Sequence, residues 1–265
     1  MKNTKIDWAD ATWNPVTGCL HGCAYCYARE MTRRFGGFLP EENGAWNRIQ
    51  YEKDGPRLGV LNEQQKRMQK NGKIVAAPYP FDFEPTLHRY RLDEPQHWKK
   101  PSIVFVCSMA DLFGAWVPDE WIKEVFAACE AAPQHTYLFL TKNPKRYAEL
   151  ARKGILQFKP NFWFGSTVTT NDSDIYSPSR RNIFASVEPI HGPIDFSTLG
   201  DQRFKWMPKW VIIGAETGNR KEKIVPQREW IDSIVEQAHR QSAKVFMKES
   251  LLELMGGDFL QETPW

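Results

Sequence analysis

The chain has 265 residues, of which 42% are hydrophobic and 13% aromatic; this excludes an intrinsically disordered protein and supplies a sizeable core. The formal net charge of +3 is the remainder of 35 basic and 32 acidic residues, so bulk charge implies neither nucleic acid nor membrane. No apolar run approaches the roughly 18 residues of a membrane span, and the opening Met1-Lys-Asn-Thr-Lys-Ile-Asp-Trp8 has no apolar stretch for a signal peptide, so a cytoplasmic protein with no membrane association is expected.

The first distinctive segment in the chain is Gly18-Cys19-Leu-His-Gly-Cys23-Ala-Tyr-Cys26-Tyr27, which puts three of the five cysteines within eight residues. That crowding suits metal ligation in a reducing compartment better than a disulfide framework, and no structural disulfide is expected. Residues 36–100 follow, with Gly36-Gly37, scattered prolines and a charged stretch from Glu63 to Lys73 for which a helix is one reading. They are expected to form an insertion or lid within a single domain spanning 1–265.

From Ser102 onward short apolar runs alternate with helical patterns. Ile103–Cys107, Tyr137–Thr141, Asn161–Gly165, Ile183–Val187, Trp210–Gly214 and Lys244–Met247 each read as a buried parallel strand. Pro118–Cys129 opens on proline and acids and brings Trp121, Val125 and Cys129 onto one helical face, which makes Cys129 a core residue. Pro226–Ala238 repeats the design with Trp230, Ile231, Ile234 and Val235 inward. Alternation of this kind implies βαβ units, and the expected fold is α/β, a partial (β/α) barrel of about six parallel strands.

Polar residues follow the strands: Ser108 and Asp111, Lys142 and Asn143, Ser166 and Thr167, then Glu188, Glu216, Lys248 and Glu249. In a parallel α/β fold those C-terminal ends share one rim, where sites are built. Glu188, Glu216 and Glu249 are candidates for binding amines or ribose hydroxyls or for relaying protons; the alternative is ion pairing with lysines and arginines. Gly214 and Gly218 would admit a nucleoside close to the backbone, although turns use glycine as readily. Basic clusters at Arg33-Arg34, Lys99-Lys100, Arg180-Arg181 and Arg220–Lys223 are either solvated loop charges or phosphate contacts.

Three thiolates in the pattern Cys19-x3-Cys23-x2-Cys26 can meet one cube of iron and sulfide, because Gly22 lets the short loop wrap tightly. The same cysteines with His21 are also a legitimate zinc set, which would make the chain a zinc-stapled binding protein without catalysis. A hydrolase built on the rim glutamates leaves the cysteine loop unexplained.

The three-cysteine pattern, with aromatic Tyr25 just before the third cysteine, resembles the signature of the radical S-adenosylmethionine (SAM) superfamily. That resemblance implies a [4Fe-4S] cluster on Cys19, Cys23 and Cys26, a fourth iron that chelates S-adenosyl-L-methionine, and reductive cleavage to a 5′-deoxyadenosyl radical. It also implies an electron donor such as a flavodoxin or ferredoxin. Trp8–Cys19, Ser108-Met-Ala-Asp-Leu-Phe113, Pro133–Thr136, Leu140-Thr-Lys-Asn-Pro144, Val187-Glu-Pro189 and Gly214-Ala-Glu-Thr-Gly218 resemble a phage-associated three-cysteine family of largely unknown function. Among characterised enzymes the chain is most similar to spore photoproduct lyase, which repairs a thymine lesion in DNA. The lyase holds the SAM carboxylate with a lysine and a serine after successive strands, and Lys142 and Ser166 match them. With Tyr25, Ser108, Asp111, Glu188 and Glu216 they are expected to line the cofactor site. The lyase's hydrogen-donating cysteine sits in a Cys-Thr-Ser-Asp segment similar to, but one residue shorter than, Cys107-Ser-Met-Ala-Asp111. Cys107 is therefore the candidate hydrogen donor, although the phage family usually has asparagine here and a buried cysteine is often just a small apolar residue. The expected activity is repair or modification of a nucleic-acid component, the alternative being radical chemistry on a peptide or small metabolite.

Overall fold

The structure, a computed structural model, describes residues 4–37, 49–51, 57–176, 178, 181–199, 207–218 and 220–265, so Arg180 lies outside the described residues. In chain order the elements are β1 (Ala11–Trp13), β2 (Val16–Thr17), α1 (Tyr27–Phe35), β3 (Ile49–Tyr51), β4 (Arg57–Leu61), β5 (Lys66–Met68), β6 (Ile74–Ala76) and β7 (Thr86–His88). They continue with β8 (Ile103–Val106), α2 (Asp119–Glu130), β9 (Thr136–Thr141), α3 (Pro144–Arg152), β10 (Phe162–Thr167), β11 (Ile183–Val187), β12 (Trp210–Ile213), α4 (Arg228–Arg240), β13 (Lys244–Met247) and α5 (Leu252–Met255). Short 3-10 turns flank several of them.

Seven parallel strands form one sheet in the order β1-β8-β9-β10-β11-β12-β13, curled into a half-barrel. Six of them match the apolar runs, and the seventh is β1, which pairs with β8 from Ala11↔Val104 to Trp13↔Val106. Three residues are too few to show a period, so β1 is visible only through its partner.

Both faces of the sheet are covered, which is why its strands read as continuous apolar runs. One parity, including Val106, Phe139 and Phe164, packs outward with Ile122, Val125 and Phe126 of α2 and Tyr147 and Leu150 of α3. Further along, Val211, Ile213 and Val245 pack on Ile231 and Ile234 of α4. The opposite parity, Phe105, Leu138, Trp163, Phe184, Trp210 and Phe246, lines the concave face and closes on Trp8, whose ring lies 4.7 Å from Phe105 and 6.3 Å from Trp210. Aromatic packing therefore fills the concave face toward the strand starts, and the polar residues gather at the strand ends.

The helices α2 and α4 occupy the expected stretches, with Trp121, Val125 and Cys129 buried. On α4, Ile231 and Ile234 are buried, whereas Trp230 and Val235 are half-buried at the edge of the same cluster. Neither α1 nor α3 stands out in the apolar periodicity, although α3 has Pro144 in its first turn, a usual starting signal. The stretch Glu63–Lys73 is not a helix: β5 pairs antiparallel with β6 around a turn at Asn71-Gly72, where Gly72 has φ +81°. Charge composition does not separate helix from hairpin, whereas the Asn-Gly pair does. Within 36–100, β7, β4 and β3 join β2 in a four-stranded sheet, so the insertion is built onto the cysteine-loop side of the fold. No described helix is long and apolar enough to cross a membrane.

Candidate metal centre at the strand ends

Strand β2 delivers the chain to Gly18, which has φ +87° and bridges to Ala110 beyond β8. Only glycine fits, since a Cβ here would overlap the carbonyl oxygen of Glu84. The Gly18 N–H donates to the Met109 carbonyl at 2.9 Å and the Cys19 N–H to that of Phe83 at 3.2 Å. Gly22, at φ +70° with open space around it, supplies the second left-handed turn. Cys26 then precedes α1 as its N-cap. All three loop cysteines are half-buried, and none of the five cysteines is in a disulfide. Burial pushes the Cys19 thiol up to about 12, the backbone of His21 opposes this, and Asp111, Cys23 and Cys26 add to it through their charges.

The loop is fastened across the ends of three strands. His21 Nε2 lies 2.7 Å from Asp111 Oδ2, and its ring sits edge-on to Trp116 at 4.9 Å. The same Asp111 oxygen accepts from Thr141 Oγ1 at 3.0 Å and from the Lys142 N–H at 2.9 Å, while Oδ1 accepts from the Phe113 N–H at 3.0 Å. Asp111 is thus a buried hub joining the cysteine loop to β8 and β9, with its oxygens already engaged. Tyr27 donates to the Ser108 carbonyl at 2.6 Å, and the Ser108 hydroxyl donates to Asn14 Oδ1 at 3.2 Å. Tyr25 lies between the Lys142 ammonium, 5.7 Å from its ring centroid, and the His191 ring at 5.6 Å. Burial, together with the charge of Cys23 and a hydrogen bond to it, raises the Tyr25 phenol above its ordinary range.

The remaining expected residues separate into those at the mouth and those behind it. Lys142 is exposed, and among the described residues it has no carboxylate within ion-pair distance. Ser166 is fully buried and shares the outward parity of Phe162 and Phe164; its Oγ accepts from the Tyr176 N–H at 3.1 Å. The next residue, Thr167, has the concave parity of Trp163, and among the described residues its buried Oγ1 has no hydrogen-bond partner. Cys107 is 3% exposed within the outward cluster, at φ +60°, and burial pushes its thiol up to about 12. Glu188 pairs with Lys248, and a Cβ on Gly214 would crowd both side chains, so this glycine makes room for an ion pair. Glu216 takes a bidentate pair from Arg220, with both distances 2.6 Å, and has His191 Nε2 at 3.4 Å. The Arg220 guanidinium first, and His191 after it, hold the Glu216 carboxyl below its ordinary range. Glu249 is exposed beyond β13. His191, which no motif marked, brings the loop after β11 to Tyr25; its only signal was a polar residue shortly after a strand end.

Among the described residues no three His, Cys, Asp or Glu side chains gather around a single ion position. A cube of iron and sulfide takes each thiolate at a different corner, so its ligands surround a volume and not a point. The donor set, three thiols on a loop turned by two left-handed glycines, fits such a group, and the Thr167 hydroxyl, without a partner among the described residues, follows the end of the same sheet. A family model described as a protein of unknown function (DUF5131) matches residues 3–251. No curated protein and no solved structure matches the chain.

Proposed function

The chain belongs to the DUF5131 family, and we propose that it is a radical SAM enzyme that repairs or modifies a nucleic-acid component. A [4Fe-4S] cluster held by Cys19, Cys23 and Cys26 would supply one-electron reductive cleavage of SAM at its open iron. The observation that carries this reading is the seating of the three-cysteine loop across the C-terminal ends of β8, β9 and β11 of a curled parallel sheet.

The chain's own residues have separate tasks in this reading. Gly18 and Gly22 set the loop's path, and the His21–Asp111 pair fixes it to the rim. Lys142 offers an ammonium, and Thr167 a hydroxyl, neither with a hydrogen-bond or ion-pair partner among the described residues, for the SAM carboxylate, which a cation and a hydroxyl donor suit. Tyr25 covers the loop and orients Lys142 through its ring face. The Glu188–Lys248 and Glu216–Arg220 pairs hold charge in fixed positions around the mouth, and His191 stands beside Tyr25. Cys107 has a packing role here, because its thiol lies within the apolar cluster. The reading requires a flavodoxin- or ferredoxin-like reductant in a reducing compartment, the cytoplasm.

Anaerobic reconstitution with iron and sulfide tests it: brown absorbance, and 5′-deoxyadenosine from SAM and dithionite, are expected, and Cys23→Ala should abolish both. His21 with a carboxylate behind it is also how a zinc-bound histidine is oriented. Stoichiometric zinc with no sulfide would replace the enzyme by a zinc-stapled binding protein.

A further inference from the structure

The β5–β6 hairpin stands apart from the metal centre and has no task in the reading above. Its base is anchored, with Gln65 and Ala77 buried and joined by an Ala77 N–H to Gln65 carbonyl bond of 2.8 Å. Beyond the base the register sets Lys66 opposite Ala76, Arg67 opposite Val75 and Met68 opposite Ile74. Directly opposed residues share a face, so Lys66, Met68, Ile74 and Ala76 lie on one side of the ribbon and Arg67 and Val75 on the other. The second side is half-buried, and its Arg67 lies over the Phe35 ring at 5.7 Å.

The first side faces water, yet the cross-strand pair next to its turn is apolar: Met68 is 57% and Ile74 58% exposed. A solvated ribbon face is ordinarily polar, and single exposed apolar residues are ordinary, but an opposed pair at the end of an arm is neither. From Lys66 to Lys73 the chain has four cations and no acid. Lys66, Lys70 and Lys73 are exposed, and among the described residues none has a carboxylate within ion-pair distance, whereas Lys145, Lys153 and Lys159 are each paired. The arm thus combines apolar side chains with uncompensated positive charge, and the complementary partner is a polyanion with apolar stacking surfaces.

We propose that this hairpin enters the groove of double-stranded DNA, with Met68 and Ile74 as an apolar wedge at a base step and Lys66, Lys70 and Lys73 on the flanking phosphates. An arm laid in the minor groove of B-form DNA can insert apolar side chains between its base steps, whereas the wide, shallow minor groove of A-form RNA gives such an arm no walls. Apolar wedges unstack base steps, and lysines on phosphates make binding salt-dependent. Through Arg67 and Phe35 the arm is moored to the far end of α1, about 14 Å along that helix from Cys26, so a bound duplex lies on the cysteine-loop side of the molecule. The inference deepens the nucleic-acid part of the reading above and is independent of its radical chemistry.

The test is fluorescence anisotropy of the full chain with a labelled mixed-sequence DNA duplex, single-stranded DNA and an RNA duplex, at several salt concentrations. The wild type is expected to prefer the DNA duplex. Lys66→Gln/Lys70→Gln/Lys73→Gln should weaken binding and flatten the slope of log K against log salt by about 2 to 3. Met68→Ser/Ile74→Ser should weaken it about tenfold at unchanged slope and remove the brightening of 2-aminopurine placed in the duplex. Unaltered melting curves would show that both variants are folded. Duplex binding that both variants retain overturns the arm and leaves the enzymatic reading intact. Failure of the wild type to bind the duplex, or a preference for single strands or RNA, also overturns it, even if the same protein yields 5′-deoxyadenosine. Duplex binding through the arm without 5′-deoxyadenosine upholds the arm and removes the radical chemistry.

Discussion

Ser166 and Thr167 differ by one position and lie on opposite faces of β10, because side chains alternate along a strand. The resemblance to the lyase points to the serine, whereas the sheet turns the threonine toward the mouth. Ser166→Ala is expected to cost about 1 kcal/mol by leaving the Tyr176 N–H without its acceptor. Thr167→Val should leave stability unchanged and weaken SAM binding about tenfold, the worth of one hydrogen bond to a charged group; equilibrium SAM binding and thermal melts on both variants separate the two roles. The same scale explains Cys107, whose φ of +60° is a conformation that asparagine adopts more readily than most side chains. At Cys107 the conformation is accommodated by apolar surroundings.

At the level of elements, the sheet's inner packing depends on one missing side chain. A Cβ on Gly165 would overlap the Phe184 ring from the neighbouring strand, in the register that pairs Gly165 with Phe184. Gly165→Ala is thus expected to destabilise the protein by about 2 kcal/mol through overpacking, and a urea midpoint that does not fall would show that the ring moves aside freely. The strands and α2 and α4 were legible because their apolar residues recur with a clear period and length. β1 is too short for a period, and α1 is a short helix whose buried residues are only Ala28 and Thr32, so neither carries a strong apolar signal. A helix is one reading of Glu63–Lys73 because a run of charged residues fits a helix surface and a ribbon equally well, and only the turn distinguishes them.

For the molecule as a whole, the rim is held together by charge as well as by apolar packing. Glu216 has a side chain only 2% exposed and is held below its ordinary value of 4.5 by Arg220 and His191. A carboxyl with a lowered folded-state value stabilises the fold fully above about pH 4.5, and that stabilisation disappears as the pH falls through the lowered value. Glu216→Gln is expected to reduce the melting temperature at pH 7, and the difference from wild type should shrink as the pH falls through the lowered value; a gap that persists in acid would locate the effect in packing. The sequence alone determined the parallel α/β architecture, the rim of polar strand ends and the three-cysteine loop, since these rest on local periods and spacings. Only the tertiary structure decided which of two adjacent hydroxyls faces the mouth, that Asp111 is a hub, that Glu188 and Glu216 are paired, and that a basic, apolar-tipped ribbon projects from the insertion. Each of those depends on partners far apart in the chain, and the sheet's curl and register, not any local pattern, bring them together.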